Sequence, residues 1–242
     1  MATKPKPEAK SPPADTRGKI VDALMELAAE RRFEDISVRD ICKSAGVSLA
    51  DFRDAFPSKG AVLAGFSRRI DRTVLAQSDE ELADESPRER LFDILMRRFE
   101  AMAPYREGVR EAAAWLKREP AAALAMNQVV MSSMRFMLEA AGIEAAGAGG
   151  VIKLQGLALA WARMIQVWLD DDEPALSKTM AELDRVLTRG ERAAAGVDRL
   201  SALASPFAAL AQAAFDAGRR ARRDGSRPSR KDDHGDEEVT AL

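Results

Sequence analysis

Catalysis or metal binding needs nucleophiles, imidazoles or thiolates at workable spacing, and this chain holds very few. Its one cysteine is Cys42 and its one histidine is His234, which lies among Lys231, Asp232, Asp233, Gly235 and Asp236. No histidine triad, His-ligated metal or buried imidazole base can be assembled from that inventory. A lone cysteine also excludes a disulfide framework and a cysteine-based zinc site. We therefore expect no catalytic residue, no metal and no cofactor, and read the chain as a non-enzyme. Cys42, between Ile41 and Lys43, reads as a small buried hydrophobe rather than a redox switch.

The remaining chemistry is binding through charge and apolar surface, and the charge is unevenly spread. Residues 1–76 hold 14 Lys and Arg against 11 Asp and Glu, residues 77–218 hold 16 against 22, and residues 219–242 hold 7 against 6. A mildly basic front end thus precedes an acidic body, which permits nucleic-acid contact by the front without proving it. No run of 18 apolar residues exists and the first residues lack an apolar signal core, so a soluble cytoplasmic protein is expected.

These groups must be positioned by helices. The 242 residues suffice for one large domain or two small ones. Residues 1–15, with Lys4, Pro5, Lys6, Pro7, Lys10, Pro12 and Pro13, read as a disordered arm, and 223–242 as a disordered tail. Ile20, Ala23, Leu24, Leu27 and Ala28 follow one helix face. Ser37 with Asp40 and Ser48 with Asp51 have capping-box spacing and start two short helices, with Ala45, Gly46 and Val47 as the turn between. Phe56 and Pro57 close the second, and Ser58 caps a longer helix from Lys59 to Leu75. After an acidic connector, Ser86, Pro87 and Glu89 open a further helix. Pro104, Pro120, Gly142 and Pro174 divide the rest, the longest pieces being Ala121 to Ala141 and Gly150 to Leu169. The expected fold is all-α with nine or ten helices: a three-helix head over 16–76, a helical bundle over 86–192 and an amphipathic helix over 197–222.

Two short helices around a Gly-containing turn have the geometry to lay the second in a DNA major groove. The run Ser37, Asp40, Ile41, Cys42, Ala45, Gly46, Val47, Ser48, Phe52, Phe56, Pro57, Ser58 and Lys59 resembles the N-terminal domain of TetR/AcrR-type regulators over about Arg17 to Asp71. The resemblance implies a homodimeric transcriptional regulator, a probable-repressor type, binding operator DNA through Arg39, Lys43, Ser48, Leu49, Ala50, Asp51, Arg53 and Lys59. The chain departs from the family's usual lysine, threonine, tyrosine and histidine by carrying Leu49, Asp51, Arg53 and Ala55. Asp51 and Asp54 leave the recognition helix acidic, and phosphates would repel it.

In the bundle, Leu154, Leu157, Trp161, Ile165 and Trp168 repeat on one stripe beside Gly149, Gly150, Gly156, Ala158, Ala160 and Ala162, a pattern for a dimer-forming four-helix contact or an internal core. Trp115, Met126, Met131, Met134, Phe136, Met137, Trp161 and Met164 are candidates to line an adaptable pocket for a small apolar effector, with core packing the alternative. A second, scattered resemblance involves Ala103, Pro104, Tyr105, Arg106, Glu107 and Val109, then Trp168 to Pro174, then Leu183, Asp184 and Arg185. These look like the TetR-like coenzyme Q accessory lipid-binding family. It implies the alternative function of a lipid or isoprenoid carrier in ubiquinone biosynthesis, with peripheral membrane contact through 197–223, where Leu200, Leu203, Phe207, Leu210 and Phe215 precede Arg219, Arg220, Arg222 and Arg223.

Overall fold

The computed structural model describes residues 14–77 and 84–193. The arm up to residue 13, residues 78–83 of the connector, and the segments 197–222 and 223–242 lie outside the described residues. Among the described residues there is no strand; eight α-helices are followed by helical residues 177–193, against the expected nine or ten.

The head is built from local signals that agree with one another. Helix α1 (Ala14–Glu30) buries Ile20, Val21, Ala23, Leu24, Met25 and Ala28. A 3₁₀ turn, Phe33–Asp35, leads to α2 (Val38–Ala45), whose N-terminus carries a complete Ser37–Asp40 capping box. Gly46 then takes φ 63° and ends α2 in the left-handed region that a Cβ disfavours. Helix α3 (Leu49–Ala55) begins with a second capping box, Ser48–Asp51, and stops at Phe56. Phe56 is extended, as the residue before a proline prefers. The Ser58 hydroxyl accepts from the Ala61 amide and starts α4 (Lys59–Leu75), with the bounds the sequence indicates.

The far half of α4 belongs to the body, where Ile70 and Val74 are buried. It packs on α5 (Pro87–Met102) and α7 (Pro120–Ala140), and α7 packs on α8 (Gly147–Leu169). Helix α6 (Arg106–Arg118) crosses under the head against α1. The approach is so close that a Cβ on Gly108 would stand 2.5 Å from the Met25 carbonyl oxygen, so only glycine fits. Head and body share one continuous apolar core. In the body Phe99 stacks between Trp161 at 4.6 Å and Trp168 at 5.8 Å between ring centroids.

The two arginines at the start of α6 hold the end of α8. Arg106 donates to the Trp168 and Asp171 carbonyls at 2.6 Å, and Arg110 to the Leu169 carbonyl at 2.6 Å. The end of a helix leaves carbonyls without i+4 amides, and the arginines add donors there. Asp171 is fully buried and accepts from the Thr179 amide and hydroxyl, both at 2.8 Å. Burial alone would raise its carboxyl, but these bonds and that from Glu173 outweigh it and hold the group below its usual range.

One expectation for α8 is corrected. The stripe offered as a dimer seam faces inward: Leu154, Trp161 and Trp168 are buried, and Leu157 and Ile165 pack partly buried against the core. Ala158 is buried with them, while Val151, Ile152 and Leu159 on the other side are exposed. Helix α8 is apolar around much of its circumference, and core packing has taken the face that carries the tryptophans.

Candidate nucleic-acid interface

The exposed face of α3 carries Leu49, Ala50, Arg53 and Asp54, and its inner face buries Phe52 and Ala55. Helix α2 lies behind it with Ile41 and Cys42 buried, while Arg39 and Lys43 are exposed. None of Arg39, Lys43 and Arg53 makes an ion pair among the described residues, so all three cations are available to an anionic partner. An open groove lined by Val38, Leu49, Ala50, Phe52, Arg53, Phe56, Pro57 and Ser58 runs along this face.

The acidic character of α3 is partly neutralised by its own cap. The Asp51 carboxylate accepts from the Ser48 amide at 3.0 Å and the Ser48 hydroxyl at 2.7 Å, while the Asp51 amide donates back to that hydroxyl at 3.1 Å. Those bonds hold the Asp51 carboxyl below its usual range. Its charge sits at the positive end of the helix dipole. Asp51, through Oδ2, and Ser48, both expected as DNA contacts, thus also start the helix, and both remain exposed. Asp40 and Ser37 repeat the arrangement on α2.

Lys59, also expected at the DNA, points the other way. Its ammonium donates to the carbonyls of Phe33 and, at 2.7 Å, of Ile36, and it lies 4.6 Å from the centre of the Phe33 ring. Burial lowers its pKa despite the nearby Glu34 and Asp35. The residue is a tie between the start of α4 and the 3₁₀ turn, a role the sequence did not announce. Cys42 is buried as expected; its Sγ is 3.8 Å from the Ser48 carbonyl oxygen. Burial, with Asp51 nearby, pushes the thiol up, which disfavours the thiolate.

The same 3₁₀ turn is gripped from the body. Glu111 of α6 accepts from the Phe33 amide at 3.0 Å, Trp115 lies 4.3 Å from the Phe33 ring, and Arg118 reaches Glu34 at 3.1 Å. Sequence reasoning missed this grip, although Glu111, Trp115 and Arg118 fall at i, i+4 and i+7 on one helix face. Deeper in the body a buried polar group pins α4. Arg98 of α5 pairs with Asp71 and donates to Ser67 at 3.2 Å, and Ser133 of α7 donates to Asp71 at 2.7 Å. The guanidinium also lies 5.0 Å from the centre of the Trp161 ring. Burial pushes Arg98 down to about 9, so it remains charged at neutral pH.

The eight pocket candidates lie in different settings. Trp115 packs on Phe33, and Phe136 is 55% exposed. Met134, Met137, Trp161 and Met164 are buried core, and Met126 and Met131 are half-buried against it. A surface cleft between α8 and the 177–193 stretch is lined by Arg163, Val167, Ser177, Lys178, Ala181, Glu182 and Arg185, none of them among the eight.

Residues 20–65 match the N-terminal domain model of the bacterial regulatory proteins of the tetR family. The TetR transcriptional regulator from Nitrosomonas europaea ATCC 19718 has a TM-score of 0.58 and 24% identity, with 72% of this chain and 97% of that one covered. A TetR transcriptional regulator from Rhodococcus sp. RHA1 has a TM-score of 0.53 and 21% identity, with 73% and 95% covered. No curated protein matches significantly. Residues 20–65 thus match the helix-turn-helix domain of the tetR family of bacterial regulatory proteins, and the chain shares its helical fold with solved TetR regulators.

Proposed function

We propose that the protein is a non-enzymatic transcriptional repressor that binds operator DNA as a homodimer and releases it when a small apolar effector enters the body. The observation that carries this reading is the outward face of α2 and α3, where Arg39, Lys43 and Arg53 stand exposed without ion pairs among the described residues while Asp51 is engaged in its cap. Cations of this kind bind phosphates and base edges, and they position the helix in the groove.

The exposed Val151, Ile152 and Leu159 of α8 support a second copy packing on that face, since a contiguous apolar stripe at a helix surface favours association. The half-buried Met126 and Met131 on α7 support an adaptable effector site. An effector that binds one arrangement of the body better than another shifts the separation of the two heads and hence operator affinity. The shift would reach the heads through α4, pinned by Asp71 and Arg98, and through α6, which grips Phe33. The lipid-binding alternative rests on the scattered resemblance within 103–185 and on 197–223, which lies outside the described residues. Among the described residues no helix is long and apolar enough to cross a membrane.

Fluorescence anisotropy of the full chain on DNA from upstream of its own gene, against scrambled DNA over a salt titration, tests the reading. Specific binding that weakens linearly in log–log form with salt is expected. Equal binding to both DNAs at every salt concentration would rule out regulation at that site.

A further inference from the structure

The side chains that α3 leaves available differ from those its sequence offers. Leu49 is 55% exposed, and Ala50 and Arg53 are exposed beside it. Leu49 and Arg53 are four residues apart and so share one helix face. Asp51 accepts two hydrogen bonds from Ser48 on one oxygen, Oδ2. Lys59 is turned onto the Phe33 and Ile36 carbonyls. With Asp51 and Asp54 outside its lining, the groove beside α3 is open, apolar along Val38, Leu49, Ala50, Phe52 and Pro57, with Arg53 as its one cation.

In the major groove the apolar group on offer is the 5-methyl of thymine, and the group that matches a guanidinium is the O6 and N7 edge of guanine. Resting on the reading of this head as an operator-binding domain, we infer that α3 reads thymine methyls through Leu49 and Ala50 and one guanine through Arg53. Four residues of helix advance about 6 Å, and base pairs are spaced about 3.4 Å. Each half-site therefore carries its thymine and its guanine within about two base-pair steps of one another.

The test removes single atoms from the DNA. The full chain selects duplexes from a random-sequence library; the enriched half-site is then remade with uracil for each thymine and with 7-deazaguanine for each guanine. Wild type, Leu49→Ala and Arg53→Ala are compared by anisotropy, with thermal melting to confirm that both variants, altered only at exposed positions, stay folded. Loss of the thymine methyl that Leu49 meets should weaken wild type about fourfold, the worth of one buried methyl group, and leave Leu49→Ala unchanged, while a methyl met by Ala50 should count equally in both. Replacing the guanine should weaken wild type about tenfold and leave Arg53→Ala unchanged. Enriched sites that are indifferent to both replacements, or at which every replacement costs wild type and variants equally, would overturn the inference while leaving operator binding intact. No enrichment of any duplex would overturn it together with the operator reading.

Discussion

Arg98 is 2% exposed, and its charge is matched by Asp71 with hydrogen-bonding help from Ser67 and Ser133. Removing one member of a buried pair leaves the other uncompensated. Asp71→Ala should therefore cost about 3–5 kcal/mol of stability in urea unfolding, whereas Ser133→Ala should cost only about 1 kcal/mol. Cys42 gives a second residue-scale outcome. Because burial and Asp51 raise the thiol, iodoacetamide should label it slowly in the native protein at neutral pH and rapidly after unfolding, as read by mass spectrometry. Two of the chemically decisive residues here were legible: Ser48 and Asp51 stand at i and i+3 before a helix, and their pairing follows from that spacing. Lys59 was not, because nothing adjacent in sequence announces that the carbonyls of Phe33 and Ile36, 26 and 23 positions away, converge on its ammonium.

The capping boxes of α2 and α3 make the stability of these elements pH-dependent in a defined sense. Asp40 and Asp51 are held below their usual range by serine hydrogen bonds. Their support is complete above the ordinary carboxylate value and is lost as pH falls through the lowered one. Amide protection of the first turns of α2 and α3, relative to unfolded peptide at the same pH, should fall below about pH 4, and Ser48→Ala should flatten that dependence for α3 alone. The turn between them rests on Gly46 at φ 63°, with nothing within 4 Å of a Cβ there. Gly46→Ala should thus destabilise by about 1–2 kcal/mol through backbone conformation alone, measured by thermal unfolding. Helix ends were legible because caps, prolines and glycines act over three or four residues. Facing was less so. With apolar residues on both sides of α8, periodicity could not choose between the stripe of Trp161 and that of Leu159, and only packing against Phe99 decides it.

At the scale of the whole molecule, the proposed dimer makes Leu159, 62% exposed on α8, the position to perturb. Leu159→Glu should shift sedimentation velocity from dimer to monomer and reduce operator affinity together, without changing the melting of the isolated fold by more than about 0.5 kcal/mol. The connector and the change of charge sign suggested a head apart from a body, whereas one apolar core runs through both. The grip of α6 on Phe33 was hidden because its partners lie about 80 residues apart. One local arrangement also constrains how such a molecule can change over generations. Since Ser48 and Asp51 start α3, substitutions there cost helix stability of about 0.5–2 kcal/mol, whereas the exposed Leu49, Ala50, Arg53 and Asp54 can drift at little cost. New promoter specificities should accordingly arise by variation at those four positions, and a library built to retarget the protein would randomise them and leave the serine–aspartate pair alone.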